Sequence, residues 1–338
     1  MKSACFRCDA SLDIGIGHLM RCITLAGALK ENGWDCKFIT AETSDIMLPI
    51  LSQYSLVSPE AIPDLSDLLV VDHYDLDQKY ETAARVWASK IMVIDDLADR
   101  QHDCDILLDQ TFGRSVSDYQ ALIPEHCTIL CGSDYTLLRP QFLSARYRAE
   151  EKRHKVERIE NILVNFGSTN PEGIMQKILS VLAEFKEWPL TINIVTGNQT
   201  QGLDILQEEA KKILEETQHN INLLIDIPDI AEKMVEADLA FGAGGTTSWE
   251  RACLGLPTIM IELADNQSLV AQNLLERGAV LHLGKLSYVT ENKIDNAFKN
   301  VRDNSALLRN MSKQAFRICD GLGTDRVSER IEEICKET

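Results

Sequence analysis

The first strand-to-helix connection of the chain reads Ala4-Cys5-Phe6-Arg7-Cys8-Asp9-Ala10-Ser11-Leu12-Asp13-Ile14-Gly15-Ile16-Gly17-His18-Leu19-Met20-Arg21. Its apolar start predicts a strand, its glycines predict a turn, and the apolar spacing after His18 predicts an amphipathic helix. His18 then falls at a helix N-terminus, where the helix dipole disfavours the protonated ring, and a neutral imidazole there can take a proton. The alternative is a histidine that only caps or packs. The glycines favour the first interpretation, because they let the backbone approach a ligand closely.

The same alternation of β-branched runs and helical patterns continues along the chain and predicts parallel sheets with helices on both faces. Two Rossmann-like domains with a cleft between their strand ends are the natural architecture. A dense polar run at 146–155 is interpreted as a solvated helix face or linker, which divides the chain into domains at 1–152 and 153–338. The predicted strands are 4–6, 36–40, 68–71, 91–94, 106–108 and 128–131 in the first domain, and 162–166, 190–195, 221–224, 239–241 and 258–261 in the second.

Composition and net charge restrict the kinds of molecule that the chain can bind. The chain has 338 residues, of which 45% are hydrophobic and 25% charged, as is typical of a globular protein with two ordinary domains. A formal net charge of −18 argues against nucleic acid or an anionic membrane as a partner. A small anion stays possible, because glycine turns and helix N-termini hold phosphates locally. We expect a cytoplasmic protein with no obligate protein partner, since the chain has no membrane-spanning run and no signal-peptide pattern.

The ten cysteines lie mostly in predicted strands and helices, so we expect buried, reduced thiols rather than disulfides. One Cys-x-x-Cys occurs, Cys5-Phe6-Arg7-Cys8. Residues three apart on a strand face opposite sides, and no second pair is present to complete a zinc site. We therefore expect no metal and no cofactor.

A second strand-to-helix connection reads Phe241-Gly242-Ala243-Gly244-Gly245-Thr246-Thr247-Ser248-Trp249-Glu250-Arg251-Ala252-Cys253-Leu254-Gly255-Leu256-Pro257. Here a glycine turn enters a helix capped by threonine or serine, which is typical of an anion site of bare N–H groups and hydroxyls. Glu250, about one turn in, can reach the hydroxyls of a sugar whose phosphate is held at the cap. The alternative is a tight turn with an ordinary surface glutamate. A weaker segment, Phe166-Gly167-Ser168-Thr169-Asn170-Pro171, suits a diphosphate contact or an ordinary loop.

Acidic residues follow two strands of the first domain, in Asp72-His73-Tyr74-Asp75 and Asp95-Asp96, while Arg7, Asp9 and Asp13 follow the first strand. The carboxyl ends of parallel strands share one edge, where open α/β sheets bind their substrates. Paired acids at that edge suit hydroxyl recognition or the orientation of a histidine, and equally the N-cap of a helix.

These motifs together resemble the PseG family, the UDP-2,4-diacetamido-2,4,6-trideoxy-β-L-altropyranose hydrolases of pseudaminic acid biosynthesis. The resemblance runs from Arg7 to about Gly278, and the C-terminal half also looks like the donor-binding half of MurG, a GT-B glycosyltransferase. It implies an α/β, GT-B-like fold with two Rossmann-like domains facing across a cleft, and a last helix able to pack back on the N-terminal domain. The motifs are Arg-x-Asp, Ile-Gly-x-Gly-His-x-x-Arg, Asp72-His73-Tyr74, Ile94-Asp95-Asp96-Leu97-Ala98, the glycine-rich stretch 242–250, and Asn266-Gln267.

The resemblance also implies roles for single residues. His18 would be the catalytic base, Tyr74 would line the sugar site, Glu250 would take the ribose hydroxyls, and the backbone around Ile227 would meet the uracil. Position 170 is Asn where family members often show Asp. The other substrate contacts expected along the strand ends and motifs are Arg7, Asp9, Gly17, Gly167, Ser168, Gly245, Thr246, Thr247, Ser248, Asn266 and Gln267.

The prediction is an enzyme that hydrolyses a UDP-linked diacetamido-trideoxyhexose to UDP and the free sugar, with inverting cleavage of the C1–O bond. UDP is a good leaving group, so the chemistry needs a positioned water, a base and stabilisation of the diphosphate charge, all without a metal. The product would enter pseudaminic acid, a nonulosonic acid of flagellin glycosylation. One alternative is a GT-B glycosyltransferase in which His18 deprotonates an acceptor hydroxyl. Another is a catalytically silent sugar-nucleotide-binding protein, which needs Glu250 but not His18.

Overall fold

The computed structural model separates the chain into two compact units, and each is described by itself. Unit 1 comprises Met1–Arg139 and Gly321–Thr338, and unit 2 comprises Pro140–Asp320. Asp13, which follows the first predicted strand, and Ser168, a predicted substrate contact, lie outside the described residues. The structure describes residues 1–9, 17–40, 50–61, 64–167 and 169–336.

Unit 1 is built on a seven-stranded parallel sheet. The strands are β1 (Ser3–Cys8), β2 (Asp35–Ile39), β3 (Ser55–Val57), β4 (Ser66–Asp72), β5 (Ala88–Ile94), β6 (Ile106–Asp109) and β7 (Thr128–Cys131), with helices α1 (Gly17–Glu31) and α2 (Gln78–Ala84). Their order across the sheet is β3-β2-β1-β4-β5-β6-β7. The chain therefore changes direction across the sheet between β1 and β4, and such a switch point is where open α/β sheets bind ligands.

The two faces of this sheet are buried in separate apolar clusters. Phe6 and Cys8 of β1 belong to one cluster and Cys5 to the other, as expected for alternating side chains. Helix α1 packs its stripe Leu19, Cys22, Ala26 and Leu29 on the first cluster, where all four are at most 1% exposed. Each fully buried leucine contributes about 1.5–3 kcal/mol. The amphipathic helix predicted after His18 is therefore confirmed, and its buried stripe fixes how the start of the helix meets the sheet.

Unit 2 has a six-stranded parallel sheet in the order β10-β9-β8-β11-β12-β13. Its strands are β8 (Asn161–Asn165), β9 (Thr191–Thr196), β10 (Asn220–Ile225), β11 (Leu239–Ala243), β12 (Thr258–Glu262) and β13 (Val280–Lys285). Its helices are α3 (Pro140–Lys155), α4 (Ile174–Ala183), α5 (Leu203–Glu216), α6 (Ala231–Glu236), α7 (Thr247–Cys253), α8 (Ser268–Glu276), α9 (Glu291–Arg302) and α10 (Ser305–Phe316).

Helix α3 explains why the division of the chain differs from the predicted boundary after residue 152. That position falls inside α3, and the helix packs within unit 2. Arg153 is only 5% exposed and donates to the carbonyl oxygens of Ala237 at 2.5 Å and Met234 at 2.6 Å. The interpretation of the polar run as a solvated face or linker is wrong for this residue, because a buried guanidinium needs the carbonyl acceptors it finds there.

The last helix, α11 (Gly323–Ile334), lies in unit 1. Val327 and Ile331 are fully buried in the apolar cluster that contains Phe6. A side chain at position 323 would collide with the backbone of Thr136, at 2.4 Å from its nitrogen and its oxygen, so Gly323 lets the helix approach closely. Residues from both ends of the sequence therefore complete one core.

Every predicted strand is present, with ends within three residues of those predicted. Two strands escaped prediction. Ser55–Val57 is only three residues long, and Val280–Lys285 has no clean alternation of apolar residues. Among the helices of the described residues, none is long and apolar enough to cross a membrane.

Candidate functional site

His18 lies at the switch point of the unit 1 sheet. Cys8, the last residue of β1, pairs with Asp72, the last residue of β4, and α1 begins at Gly17. His18 is the second residue of α1 and is 8% exposed, while Asp72 is 1% exposed. The strand order brings together two groups that are far apart in sequence.

Asp72 is the acceptor at the centre of this site. Its carboxylate lies 2.5 Å from His18 Nδ1 and accepts from Arg21 Nε at 2.6 Å and from Arg21 Nη2 at 2.5 Å. The Cys22 thiol donates to it at 3.6 Å. Burial would raise the pKa of Asp72, but the charge of Arg21, together with the interaction with His18 and the hydrogen bonds from both residues, outweighs burial and holds this pKa well below its usual range. The carboxylate is ionised and can only accept hydrogen bonds.

The ionised carboxylate determines which nitrogen of His18 carries hydrogen. Since Asp72 has no proton to give, Nδ1 is the donor, and in the neutral ring the lone pair is then on Nε2. Arg21 Nη2 lies 3.1 Å from Nδ1, but both are donors, and they share Asp72 as acceptor. This arrangement presents Nε2 as a proton acceptor, and the negative charge of Asp72 can stabilise the imidazolium that forms.

Arg21 was not predicted as a residue of the site, although it ends the motif Ile-Gly-x-Gly-His-x-x-Arg. The residue is 4% exposed. Burial alone would lower the pKa of Arg21, but the charge of Asp72 and its hydrogen bond raise it well above the usual value. The spacing contained a signal, because residues three apart on a helix share a face and Arg21 follows His18 by three.

Tyr74 and Asp96 complete the surroundings of the imidazole. The Tyr74 ring meets His18 edge to face, with 4.7 Å between ring centroids and an interplanar angle of 86°. Its hydroxyl donates to Asp96 Oδ2 at 3.4 Å, and Arg21 Nη1 donates to the same oxygen at 3.3 Å. Tyr74 is half-buried, so its ring limits one side of the histidine.

Arg7 and Asp9, expected to contact substrate, pair with each other. Two guanidinium nitrogens of Arg7 donate to the two carboxylate oxygens of Asp9 at 2.5 and 2.9 Å, and His73 Nε2 lies 2.9 Å from Asp9. Both are buried. Their direct contact with substrate stays a prediction, and the geometry gives them a role in holding the end of β1 beside β4.

The acidic pairs separate into two kinds. Asp72 orients a histidine, whereas Asp95 accepts from the backbone N–H groups of Leu97 and Ala98 at 3.2 and 2.8 Å and from the Tyr119 hydroxyl at 2.8 Å. Orientation of a histidine is therefore found at Asp72, whereas the N-cap interpretation is wrong for Asp95, because none of the described helices begins there. Asp95 shapes the turn after β5.

In unit 2 the predicted anion site lies between β11, which ends at Ala243, and α7, which begins at Thr247. Within the part of the chain that the structure describes, the backbone N–H groups of Gly245, Thr246 and Thr247 have no protein acceptor. We call residues 243–247 the glycine turn. Adjacent N–H groups of this kind can hold the oxygens of a phosphate.

Two predicted ligands near the glycine turn face inward instead. The Ser248 hydroxyl is buried and donates to the Ala243 carbonyl at 3.2 Å. The Gln267 side-chain oxygen accepts from the N–H groups of Gly244 at 3.2 Å and Leu263 at 3.0 Å, so it braces the turn. The expected cap is wrong for Thr246, whose side chain makes no capping bond to α7. The Ser248 hydroxyl is therefore not available to a ligand, whereas the backbone N–H groups of Gly245, Thr246 and Thr247 are.

The other expected residues of unit 2 follow the carboxyl ends of its strands. Gly167 follows β8 with a φ of +73°, which favours glycine, Ile227 follows β10, and exposed Asn266 follows β12. Glu250 is half-buried in α7. Asn170 instead turns inward and accepts from the Met175 N–H at 3.0 Å, so it supports the start of α4.

Comparison with known proteins agrees with this architecture. Residues 161–326 match the glycosyltransferase family 28 C-terminal domain. The crystal structure of Acinetobacter baumannii MurG has the same fold, with a TM-score of 0.74 and 17% identity over 98% of this chain and 100% of MurG. The fold is thus GT-B-like, with two Rossmann-like domains.

Two curated relatives extend the comparison to sequence. The spore coat polysaccharide biosynthesis protein SpsG of Bacillus subtilis is 23% identical, over 97% of both chains. The UDP-2,4-diacetamido-2,4,6-trideoxy-beta-L-altropyranose hydrolase of Campylobacter jejuni is 30% identical, over 69% of this chain and 81% of that protein. The chain is an enzyme that acts on nucleotide sugars, and it belongs to the family of that Campylobacter jejuni hydrolase.

Proposed function

We propose that the chain hydrolyses UDP-2,4-diacetamido-2,4,6-trideoxy-β-L-altropyranose to UDP and free 2,4-diacetamido-2,4,6-trideoxy-L-altropyranose, as a step of pseudaminic acid biosynthesis. The observation that carries this proposal is the 2.5 Å contact between His18 Nδ1 and an ionised Asp72, which leaves Nε2 as a base. Family membership supports the substrate, since the Campylobacter jejuni relative carries the name of this activity.

In the proposed reaction His18 Nε2 takes a proton from water while the water oxygen bonds to C1 of the sugar. The bond between C1 and the oxygen of the β-phosphate breaks, and its electron pair leaves with UDP. Asp72 balances the positive charge that develops on the imidazole. General base catalysis of this kind contributes roughly 10²- to 10⁴-fold to the rate. Attack opposite the leaving group inverts the anomeric centre.

We assign the binding of UDP to unit 2. The N–H groups of Gly245, Thr246 and Thr247 would meet the diphosphate, whose negative charge they stabilise without first losing a protein acceptor. Glu250 would accept the ribose hydroxyls, and the backbone at Ile227 would meet the uracil. Tyr74, beside the imidazole in unit 1, would contact the sugar.

The experiment that tests the proposal is hydrolysis in ¹⁸O-labelled water with mass spectrometry of both products. Cleavage of the C1–O bond by water places the label in the free sugar and leaves UDP unlabelled. Label in the phosphate of UDP would put the attack at phosphorus and contradict the role of His18. A panel of UDP-sugars in the same assay ranks the substrate classes.

A glycosyltransferase is the second candidate, favoured by the match of residues 161–326 to a glycosyltransferase family. In that reaction His18 would deprotonate a hydroxyl of an acceptor instead of water. Release of free sugar and UDP by purified protein without any acceptor supports the hydrolase. UDP release that begins only when an acceptor alcohol is added supports the transferase.

A further inference from the structure

Arg251 is a buried cation against the glycine turn. It belongs to α7 and is 2% exposed. Its guanidinium donates to the Ala243 carbonyl at 2.5 Å, to the Thr247 hydroxyl at 3.0 Å and to the Ser248 hydroxyl at 3.2 Å. One side chain thus ties together the end of β11 and the start of α7 by their inward-facing oxygens.

The charge of Arg251 has no partner of opposite sign at contact distance. Among the described residues, no carboxylate lies within 4.0 Å of its guanidinium nitrogens, and its Nε is buried without an acceptor. Burial lowers the pKa of Arg251 to about 10, with the neighbouring Glu250 acting in the opposite sense, so the group is still charged at neutral pH. An uncompensated buried charge is costly in free energy.

The backbone around Arg251 is fitted to the guanidinium. A side chain at Gly242 would place its Cβ 2.5 Å from Arg251 Nη1 and 3.0 Å from the Asn165 carbonyl oxygen. Glycine at 242 is therefore required for the arginine to occupy this position. The cation is a built feature of the strand-to-helix connection.

Arg153 is the useful contrast within unit 2. It is also a buried arginine whose pKa burial lowers to about 10, with Asp238 acting in the opposite sense. Its guanidinium faces a group of backbone carbonyls, those of Met234, Val235, Ala237 and Gly255. Arg251 meets one carbonyl and two hydroxyls, so its charge is the less compensated of the two.

We infer that Arg251 is a positioning residue for the diphosphate group of a nucleoside diphosphate. The negative charge of the diphosphate compensates the positive charge of the guanidinium, and the glycine turn lies between the two groups, so that they make no direct contact. The inference rests on the proposed function, since it deepens the assignment of UDP to unit 2. Its charge acts through a poorly polarisable interior, where charge interactions exceed those in water. Its bonds hold the oxygens of the turn inward, which leaves the N–H groups of Gly245, Thr246 and Thr247 for the ligand.

The test is calorimetric binding of uridine, UMP and UDP to the wild-type chain and to Arg251→Met. We expect affinity for UDP to fall roughly 10- to 100-fold and affinity for UMP to fall less. Affinity for uridine should stay within about twofold, because uridine carries no phosphate charge. Equal losses for all three ligands, or no loss for UDP, would overturn the role of Arg251.

Two further variants separate charge from folding. Arg251→Lys keeps the charge but loses part of the bonding made by the guanidinium, so its ratio of UDP to uridine affinity should stay within about tenfold of the wild-type ratio. A tenfold or greater fall in that ratio contradicts the inference, even if Arg251→Met does not fold. Arg153→Met removes the matched buried arginine and should leave the same ratio unchanged. If the wild-type protein binds uridine and UDP with equal affinity, this inference alone is overturned. If it binds none of uridine, UMP and UDP, the proposed function is overturned as well.

Discussion

The proposed catalytic base is the His18 imidazole, which Asp72 orients. Removing the imidazole by His18→Ala should lower turnover by roughly 10²- to 10⁴-fold, because the base is lost. UDP affinity should hardly change, since the proposed UDP contacts belong to unit 2. Steady-state kinetics and calorimetry with UDP measure the two quantities. Near-normal turnover in the variant would remove His18 from the mechanism.

Asp72→Asn should reduce both turnover and stability. The neutral amide leaves buried Arg21 with only its longer contact to the Asp96 carboxylate, at 3.3 Å, and breaking a buried ion pair costs up to roughly 3–5 kcal/mol of unfolding free energy. A carboxylate whose pKa is lowered by folding stabilises the protein above its unfolded pKa, and this contribution is lost as pH falls through the lower, folded value. In urea unfolding, the difference in unfolding free energy between wild type and variant should therefore be largest above about pH 4 and become smaller below it.

Asp99→Asn is the matched control for Asp72→Asn, because Asp99 also meets an arginine but its side chain is 60% exposed. Its effect on unfolding free energy should stay below about 1 kcal/mol at every pH. A gap for Asp72→Asn that is constant with pH would show that the carboxylate charge is not what stabilises the fold.

Helix α7 follows the glycine turn and carries Glu250. If that carboxylate takes the ribose hydroxyls, it binds ground and transition states alike. Glu250→Ala should then weaken UDP binding by roughly 1.5–3 kcal/mol and change kcat less. Calorimetry with UDP makes the measurement, and exposed Glu276 on α8 gives the control variant Glu276→Ala. Equal UDP affinity in wild type and Glu250→Ala would discard this contact.

Strands and helices could be predicted where apolar runs are long. The strands that precede the two strand-to-helix connections were predicted in this way. The order of strands in the sheet could not be predicted from any single segment of sequence. The sequence therefore did not decide whether Asp72 orients a histidine or caps a helix. Buried arginines were the harder case. Arg21, Arg153 and Arg251 look in sequence like solvated charges, and only the surrounding acceptors show that each is a built part of the interior.

The core of unit 1 depends on residues from both ends of the chain. Ile331 of α11 is fully buried there, so Ile331→Ala should cost roughly 2–5 kcal/mol. Hydrogen exchange should lose protection in β1 and β4 and keep it in β8, which belongs to unit 2. Ile205, 58% exposed on α5, supplies the control Ile205→Ala, with an expected effect within about 0.5 kcal/mol. Equal loss of protection in β8 would contradict the division into two units.

The path of the chain through the units has a consequence for its synthesis. Unit 1 is begun first, yet its core lacks Val327 and Ile331 until the ribosome has made all of unit 2. At elongation rates of about 5–20 residues per second, that interval is on the order of ten seconds. During it the first apolar cluster stays open on the nascent chain, while the contiguous unit 2 can already close. The half that carries the proposed base is therefore the last to mature, and nascent-chain chaperones have that interval in which to bind its unfinished surface.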